Sequence, residues 1–304
     1  MVLRLWNVTR LKPNNEVRQS HEEVIAFFGE WYEDESDSRG FYRGFPYVAS
    51  EPSDIDEENE ADNARQLAKA IPDIIASTTF RGFQFDGCLS RHLDKILSAP
   101  GIEHIESLEI DNLEEPFDTV EVICSSPVHS NLRSLKLDEA SELQLRRLGK
   151  TRLKSIRSLS IRWPEVGGGG LKAVLSAAWT SQLRELNIGI SEDDVVESLK
   201  LIAGLPRLHT LALWDTPIEN VDSIDPTGFP ALGRLWHRGA PLGSEGMNAL
   251  ASWPLHSLKS LSVGGCGIKG PALKTLSLAK AKKAIGNDRL AELRNRRPRI
   301  AGLT

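Results

Sequence analysis

The pattern apolar-x-x-apolar-x-apolar recurs eight times between Phe80 and Val263, at nearly constant spacing. The copies start at Phe80, Ile105, Leu132, Ile156, Leu183, Leu208, Leu232 and Leu258, which are 24 to 27 residues apart. A unit of this length is too short to bury an apolar core by itself, so neighbouring copies must stack on one another. The sequence therefore predicts a solenoid, an architecture with an extended regular surface that is suited to binding.

Each copy has the pattern of a short strand followed by an outer segment. In the copy that starts at Leu208, Leu211 and Leu213 are two residues apart and point to the same side of a strand. We number positions from the first apolar residue, so that positions one, four and six form the core and positions five and seven point outward. Apolar residues at helical spacing over 195–203 predict an outer helix, whereas the proline-rich segment 225–230 predicts an irregular loop.

The last copy, residues 258–268, has the sequence LKSLSVGGCGI and resembles the LxxLxLxxCxI pattern of the ribonuclease-inhibitor-like branch of the leucine-rich repeat superfamily. Residues 80–88 match the same pattern, and residues 62–71 resemble the outer helix of that branch. The resemblance implies a right-handed α/β horseshoe, with a parallel sheet of at least eight short strands on its concave side and helices or loops on its convex side. Because the superfamily contains inhibitors, receptors, effectors and adaptors, the resemblance implies a fold and not one function.

The ninth position departs from the family pattern, which has Asn or Cys there. It is occupied by Cys88, Leu113, Ala140, Pro164, Ser191, Thr216, Ala240 and Cys266. We therefore expect irregular repeats, in which most turns are held by other hydrogen bonds.

The repeat region divides the chain into three predicted parts. These are an N-terminal capping region with an acidic linker (1–61), a leucine-rich repeat domain of about eight repeats (62–285) and a basic C-terminal cap or tail (286–304). An aromatic stripe after a capping-box signal predicts a helix over residues 20–32, which we expect to seal the first repeat. The alternative is that its aromatic face docks a partner.

Composition favours a self-sufficient globular chain, with 40% apolar residues and a net charge of −5 over 304 residues. No run of about eighteen apolar residues predicts a membrane span, and the first residues do not form a secretory signal. The three cysteines, Cys88, Cys124 and Cys266, lie in separate repeats, which favours a reducing compartment. We therefore expect a cytoplasmic protein and favour a monomer.

No residue pattern predicts chemistry. The seven histidines are scattered singly, and none has zinc-ligand spacing with a cysteine. Four consecutive glycines, 167–170, lack the lysine of a phosphate loop and predict a turn. His237 falls at a core position, where we expect a buried, hydrogen-bonded imidazole. We therefore predict no catalytic residue, metal ion or cofactor, and a protein that is not an enzyme.

The outward positions five and seven predict the binding surface. Early copies place acids there, whereas later copies place tryptophans and arginines, the residues that most often dominate protein interfaces. The candidate partner-binding residues are Trp214, Trp236, Arg238, Arg162, Trp163, Arg234, Asp86, Glu109, Asp111 and Asp138. Trp214, Trp236 and Arg238 come from adjacent repeats and form the predicted centre. The alternative is that the tryptophans pack on one another or under a loop.

These patterns predict a non-enzymatic protein–protein interaction module, an inhibitor, sensor or adaptor that binds a protein partner on its concave face. The acids would orient a partner that carries a basic patch, which affects the association rate more than the affinity. Two alternatives stay open: an enzyme or enzyme-accessory role through the N-terminal region, and nucleic-acid binding through the basic C-terminus. Nucleic acid is not the partner we expect, because the chain as a whole is acidic.

Overall fold

The computed structural model of the chain describes residues 41–42, 45–46, 48–50, 60–77, 81–86, 91–111, 118–162, 169–218, 225, 227–264 and 266. The chain divides into two compact units. Unit 1 comprises residues 1–138 and 153–155, and unit 2 comprises residues 139–152 and 156–304.

Unit 1 contains four strands that pair in parallel, in the order of the sequence. They are β3 (Val48–Ser50), β4 (Gly82–Asp86), β5 (Ser107–Asp111) and β6 (Ser134–Asp138). The outer segments form the helices α1 (Glu60–Ser77), α2 (Leu93–Ile96) and α3 (Thr119–Ser125), with 3-10 turns at Ile102–His104 and Pro127–Ser130. Two further short strands, β1 (Phe41–Tyr42) and β2 (Phe45–Pro46), pair with each other in antiparallel fashion.

Unit 2 contains five parallel strands, again in the order of the sequence. They are β7 (Ser158–Arg162), β8 (Glu185–Gly189), β9 (Thr210–Trp214), β10 (Arg234–Arg238) and β11 (Ser260–Gly264). The helices of this unit are α4 (Glu142–Lys150), α5 (Gly169–Leu175), α6 (Val195–Ala203) and α7 (Gly243–Ser252), with 3-10 turns at Ala178–Gln182 and Glu192–Asp194. All eight copies of the sequence pattern therefore form strands, and the prediction of parallel pairing between consecutive copies is confirmed within each unit.

Positions four and six of successive repeats stack into an apolar core. In unit 2 the register pairs Leu186 with Leu211, and Leu211 with Leu235. These three side chains are at most 1% exposed. Burial of one such side chain stabilises a fold by about 1.5–3 kcal/mol, and no strand could hide its own pair alone. The repeat spacing thus creates the core, because it places the apolar residues of equivalent positions side by side on neighbouring strands.

Two of the turns that follow strands in unit 2 are held by polar side chains at position nine. Thr216, at position nine, is fully buried and accepts a hydrogen bond from the Ile190 amide at 3.1 Å, while its hydroxyl donates to the Trp214 carbonyl at 2.9 Å. The Cys266 thiol, at the same position, donates to the His237 carbonyl at 3.3 Å. These side chains satisfy backbone groups where the sheet ends, so a threonine also serves at this position.

Close packing between α4 and α5 corrects the prediction for two of the four glycines; residues 167–168 lie outside the described residues. The structure places Gly169 and Gly170 in the first turn of α5 instead of in a turn. A Cβ on Gly170 would lie 2.9 Å from the Cβ of Leu145, and one on Gly149 would lie 2.5 Å from the Ala173 carbonyl oxygen. The glycines are therefore needed for helix contact, which the one-dimensional pattern did not reveal.

The structure also corrects the N-terminal boundary of the repeats. Val48–Ser50 pairs with β4 in parallel, although residues 1–50 were expected to stand outside the repeat. Glu60 was expected in a solvated acidic linker, yet it starts α1 and is only 6% exposed, with Arg91 and His92 each 3.8 Å away. A helix start favours acidic side chains, which explains its position. The predicted helix over 20–32 and the predicted C-terminal cap or tail, 286–304, lie outside the described residues.

The turn after β10 requires a left-handed backbone conformation at Gly239, and a substitution there can test this assignment. Gly239 has φ of +88°, and a Cβ there would lie 1.8 Å from Oδ1 of Asp215. We expect Gly239→Ala to lower the free energy of unfolding by about 1–2 kcal/mol, the cost of a left-handed conformation for a residue with a side chain. The measurement is urea denaturation followed by circular dichroism.

Gly204 provides the matched control. It has φ of −76°, and the nearest atom to an added Cβ is the Leu201 carbonyl oxygen at 3.4 Å. Gly204→Ala should leave stability unchanged or raise it by about 0.4–1 kcal/mol. Equal effects of the two substitutions would contradict the assigned backbone of the Gly239 turn.

Candidate functional site

Positions three, five and seven of the strands share one side of the sheet, which we call the open face. In β5 and β7 these positions are half-buried, whereas positions four and six between them are buried. Side chains on the open face are therefore not required by the core, and they define what each unit presents to other molecules.

An aromatic–arginine cluster, consisting of Trp214, Trp236 and Arg238, lies on the open face of unit 2. The register places Arg238 directly beside Trp214 on the neighbouring strand. The guanidinium carbon of Arg238 lies 5.3 Å from the ring centroid of Trp214 and 6.0 Å from that of Trp236. Both distances fall within the range of a cation–π interaction. The structure thus brings together the three residues that the sequence placed at the centre.

Small neighbours and one hydrogen bond orient the indoles. The Trp214 indole N–H donates to the Oδ1 of Asn187 on β8. Directly beside Trp214 the register places Gly189, and beside Trp236 it places Ala212 and Ser262. Ala212 is only 5% exposed although it points outward, because larger side chains surround it. The indoles therefore occupy space that these small residues leave free.

Trp236 is the aromatic side chain most open to solvent in the part of the chain that the structure describes, with 39% of its surface exposed. Arg238 and Arg234 on the same strand are also exposed. An indole edge beside a guanidinium offers an apolar contact together with N–H donors, a combination that suits the side chains of another protein. The tryptophans are not stacked on each other; the Arg238 guanidinium faces both rings.

Of the two remaining candidates of unit 2, Arg162 lies apart from this cluster. Arg162 is half-buried at the end of β7, two strands from β9. Its carbonyl accepts a hydrogen bond from the Glu139 amide at 3.0 Å. Trp163 lies outside the described residues.

Three of the four acidic candidates of unit 1 surround a lysine. The Lys136 ammonium contacts the carboxylate of Glu109, and lies 2.9 Å from Asp111 and 3.4 Å from Asp138. Glu109 and Lys136 are direct neighbours in the register of β5 and β6. Only 13% of the Lys136 side chain is exposed. Asp86 belongs to β4, and its side chain is outside the described part.

Electrostatics keeps Lys136 charged despite its burial. Desolvation disfavours the ammonium, but the attraction and hydrogen bonds of Glu109 and Asp111 outweigh this and raise the pKa of Lys136 above its usual range. Three carboxylates therefore share one cation, and this lysine–carboxylate cluster keeps a net negative charge with a fixed geometry. A partner would meet less negative charge here than the acids alone suggest.

Two residues of the site were missed by the sequence analysis. Lys136 stands at an outward position beside Glu109, so cross-strand pairing of opposite charges could have identified it. Asn187 stands beside Ala212, not beside Trp214. Its bond to the indole depends on the rotamer of Trp214, for which the repeat pattern carries no signal.

His237 is a core residue, as predicted. It is fully buried, with Nε2 2.8 Å from the Thr216 carbonyl oxygen and Nδ1 3.2 Å from the Cys266 sulfur. Burial raises the pKa of the Cys266 thiol, which makes it a poor nucleophile. This pair therefore connects two repeats and does not resemble an activated catalytic dyad.

Among the described residues, no group of three or more histidine, cysteine or acidic side chains could hold a metal ion. A search of the same residues for helices long and apolar enough to cross a membrane also finds none.

The chain has a distant structural similarity to a solved protein complex and no match to a known family. No protein-family model matches the chain, and no curated protein matches it. Among solved structures, it is similar to the crystal structure of the Rad7 and Elc1 complex in yeast, with 16% identical residues and a TM-score of 0.45. The similarity covers 84% of this chain and 70% of that chain. It is too distant to assign a shared function.

Removal of the Lys136 cation should destabilise unit 1. We expect Lys136→Met to lower the free energy of unfolding by about 2 kcal/mol, between the values for exposed and for buried ion pairs, because three carboxylates are left facing one another. Since the folded pKa of Lys136 is raised, its contribution is complete below the unfolded value near 10.5 and is lost as the pH rises through the folded pKa. Urea denaturation at pH 7 measures the whole effect, and the difference from the wild type should shrink only in strong alkali.

The control is Lys172→Met. The Lys172 ammonium lies 2.6 Å from Glu197, and these side chains are 53% and 62% exposed. This change should alter stability by no more than about 0.5 kcal/mol. If Lys136→Met costs no more than this control, the lysine–carboxylate cluster does not stabilise the fold.

Proposed function

We propose that this chain is a non-enzymatic protein–protein interaction module of the leucine-rich repeat class, with the ribonuclease-inhibitor-like branch as the proposed subclass. The parallel pairing of consecutive copies supports the repeat class. The hydrogen bonds of Thr216 and Cys266 at position nine support the subclass, since its turn residue serves the backbone in this way. A right-handed horseshoe with capped ends belongs to the same proposal.

The proposed binding surface is the open face, centred on the aromatic–arginine cluster. The observation that carries this proposal is the exposure of Trp236 beside Arg238, which has no carboxylate within ion-pair distance among the described residues. Burying an indole beside a guanidinium that pairs with a partner carboxylate would contribute both apolar area and a charge-assisted hydrogen bond. The solvent-exposed part of the Trp236 indole contributes nothing to the apolar core.

We propose a protein as the partner, and an inhibitor, sensor or adaptor as the role. Arg234 widens the proposed surface along β10, and Arg162 with Trp163 would extend it toward β7. The acids Asp86, Glu109, Asp111 and Asp138 would orient the partner, with Lys136 reducing their effect. We also propose that the chain acts as a monomer, without a cofactor, in the cytoplasm.

The surface can be tested by comparing three immobilised baits in a lysate of the source cells: the wild type, Trp214→Ala/Trp236→Ala, and Leu143→Ala. Leu143 is 56% exposed and lies on α4, so its removal matches the loss of exposed apolar surface at another place. We expect partners that the wild type and Leu143→Ala retain and the double variant loses. For a purified partner, the double variant should weaken binding by at least about 2 kcal/mol, roughly 30-fold in Kd.

Because Trp214 is half-buried, the double variant must be shown to fold by its thermal transition, and Trp236→Ala alone serves as the milder variant. If the double variant is folded and retains the same proteins as the wild type, with the same affinities, the open face of unit 2 is not the interface. The N-terminal region would then be the leading candidate.

A further inference from the structure

Position two of each repeat lies immediately before its strand, and in unit 2 these residues form a column along the amino-terminal edge of the sheet. The members of this edge column are Arg157, Arg184, His209, Gly233 and Lys259. The Arg157 carbonyl accepts hydrogen bonds from the Arg184 and Glu185 amides, at 2.7 and 3.0 Å. The carbonyls of Arg184, His209 and Gly233 each accept two amides of the following repeat in the same way. The backbone therefore holds the column at the strand spacing of about 4.8 Å.

The side chains make this column continuous. Arg157 donates to the Ile156 carbonyl and to the Oε1 of Gln182, both at 2.7 Å, which fixes its guanidinium. Arg184 and His209 are exposed. The His209 ring covers the glycine of the column, since a Cβ on Gly233 would lie 2.4 Å from its Cε1 atom. Four basic side chains thus follow one another along the edge: Arg157, Arg184, His209 and Lys259.

Charge is segregated between the two ends of the strands in unit 2. The segments before the strands contain no acid over 150–152, 156–157, 176–184, 204–209, 227–233 and 253–259, and they add the exposed Arg152 and Arg207 to the column. One exposed acid, Asp225, precedes the segment before β10, and its Oδ1 accepts hydrogen bonds from Thr227. Glu185, the residue after Arg184, is at position three and points to the open face. The segments after the strands carry Glu139, Glu192, Asp193, Asp194 and Asp215. Within the described residues, neither Arg184 nor Arg207 has a carboxylate at ion-pair distance.

We propose that this edge of unit 2 binds an acidic peptide segment of a partner protein, extended along the column. The planar guanidinium of arginine can donate two parallel hydrogen bonds to one carboxylate. Several cationic side chains at a regular spacing therefore fit a run of Asp or Glu residues. A single-stranded nucleic acid fits less well, because such strands are held largely by stacking of their bases on exposed aromatic side chains. The tryptophans next to this edge, Trp179 and Trp253, are only 7% and 5% exposed. This surface is separate from the aromatic–arginine cluster and does not depend on the function proposed for it.

A direct binding measurement tests the proposal. A fluorescent oligoglutamate peptide and a single-stranded oligonucleotide of equal charge are titrated with the full chain at low salt, and fluorescence anisotropy gives the Kd. We expect the peptide to bind more tightly than the oligonucleotide, with an affinity that falls as salt increases. Arg184→Gln/Arg207→Gln should weaken peptide binding by about tenfold, because two charge-assisted contacts are lost.

The control variant Arg146→Gln/Lys172→Gln removes the same charge from the helices of unit 2, where these residues pair with Glu142 and Glu197. It should bind the peptide within about twofold of the wild type, because only screened long-range charge has changed. Trp236→Ala should also bind normally, which separates this edge from the open face. The proposal is overturned by absence of peptide binding at low salt, by equal losses in the two double variants, or by tighter binding of the oligonucleotide, which would make the edge a nucleic-acid surface.

Discussion

The stacking of positions four and six between neighbouring repeats is the constraint on which the structure depends. A single pair such as Leu211 and Leu213 cannot be buried within its own repeat, so each strand needs a neighbour on either side. Parallel pairing at a constant register follows, because only then do like positions meet. The same constraint places positions three, five and seven on one surface and position two on one edge. The arrangement of the candidate surfaces is thus a consequence of the core.

Most of the strand pattern could be predicted because period-two apolar spacing determines a strand and its buried side. The nearness of Trp214, Trp236 and Arg238 follows from the same register. What could not be predicted depends on contacts across the sequence. The helical glycine Gly170 reflects close packing on Leu145, and the indole of Trp214 turns to Asn187 through a choice of rotamer. The ends of the repeat region lack the period altogether, so Val48–Ser50 had no signal.

The two units use charge in different ways. In unit 1 the carboxylates of Glu109, Asp111 and Asp138 meet an internal cation, which leaves a rigid surface with reduced charge. In unit 2 the guanidinium of Arg238 faces aromatic rings instead of a carboxylate, and the arginines of the amino-terminal edge also lack acidic partners among the described residues. Arg184, Arg207 and Arg238 therefore keep hydrogen-bond donors that no described carboxylate accepts.

The small residues around the indoles determine how far the tryptophans stand out from the sheet. Gly189 and Ala212 leave room for the Trp214 ring to lie low enough to reach Asn187, and Ser262 leaves one flank of Trp236 clear. A larger side chain at any of these places would tilt or lift an indole while leaving the backbone ladder and the apolar core unchanged. The shape of the proposed binding surface can thus change through residues beside the indoles, and neither the tryptophans nor the fold need to be altered.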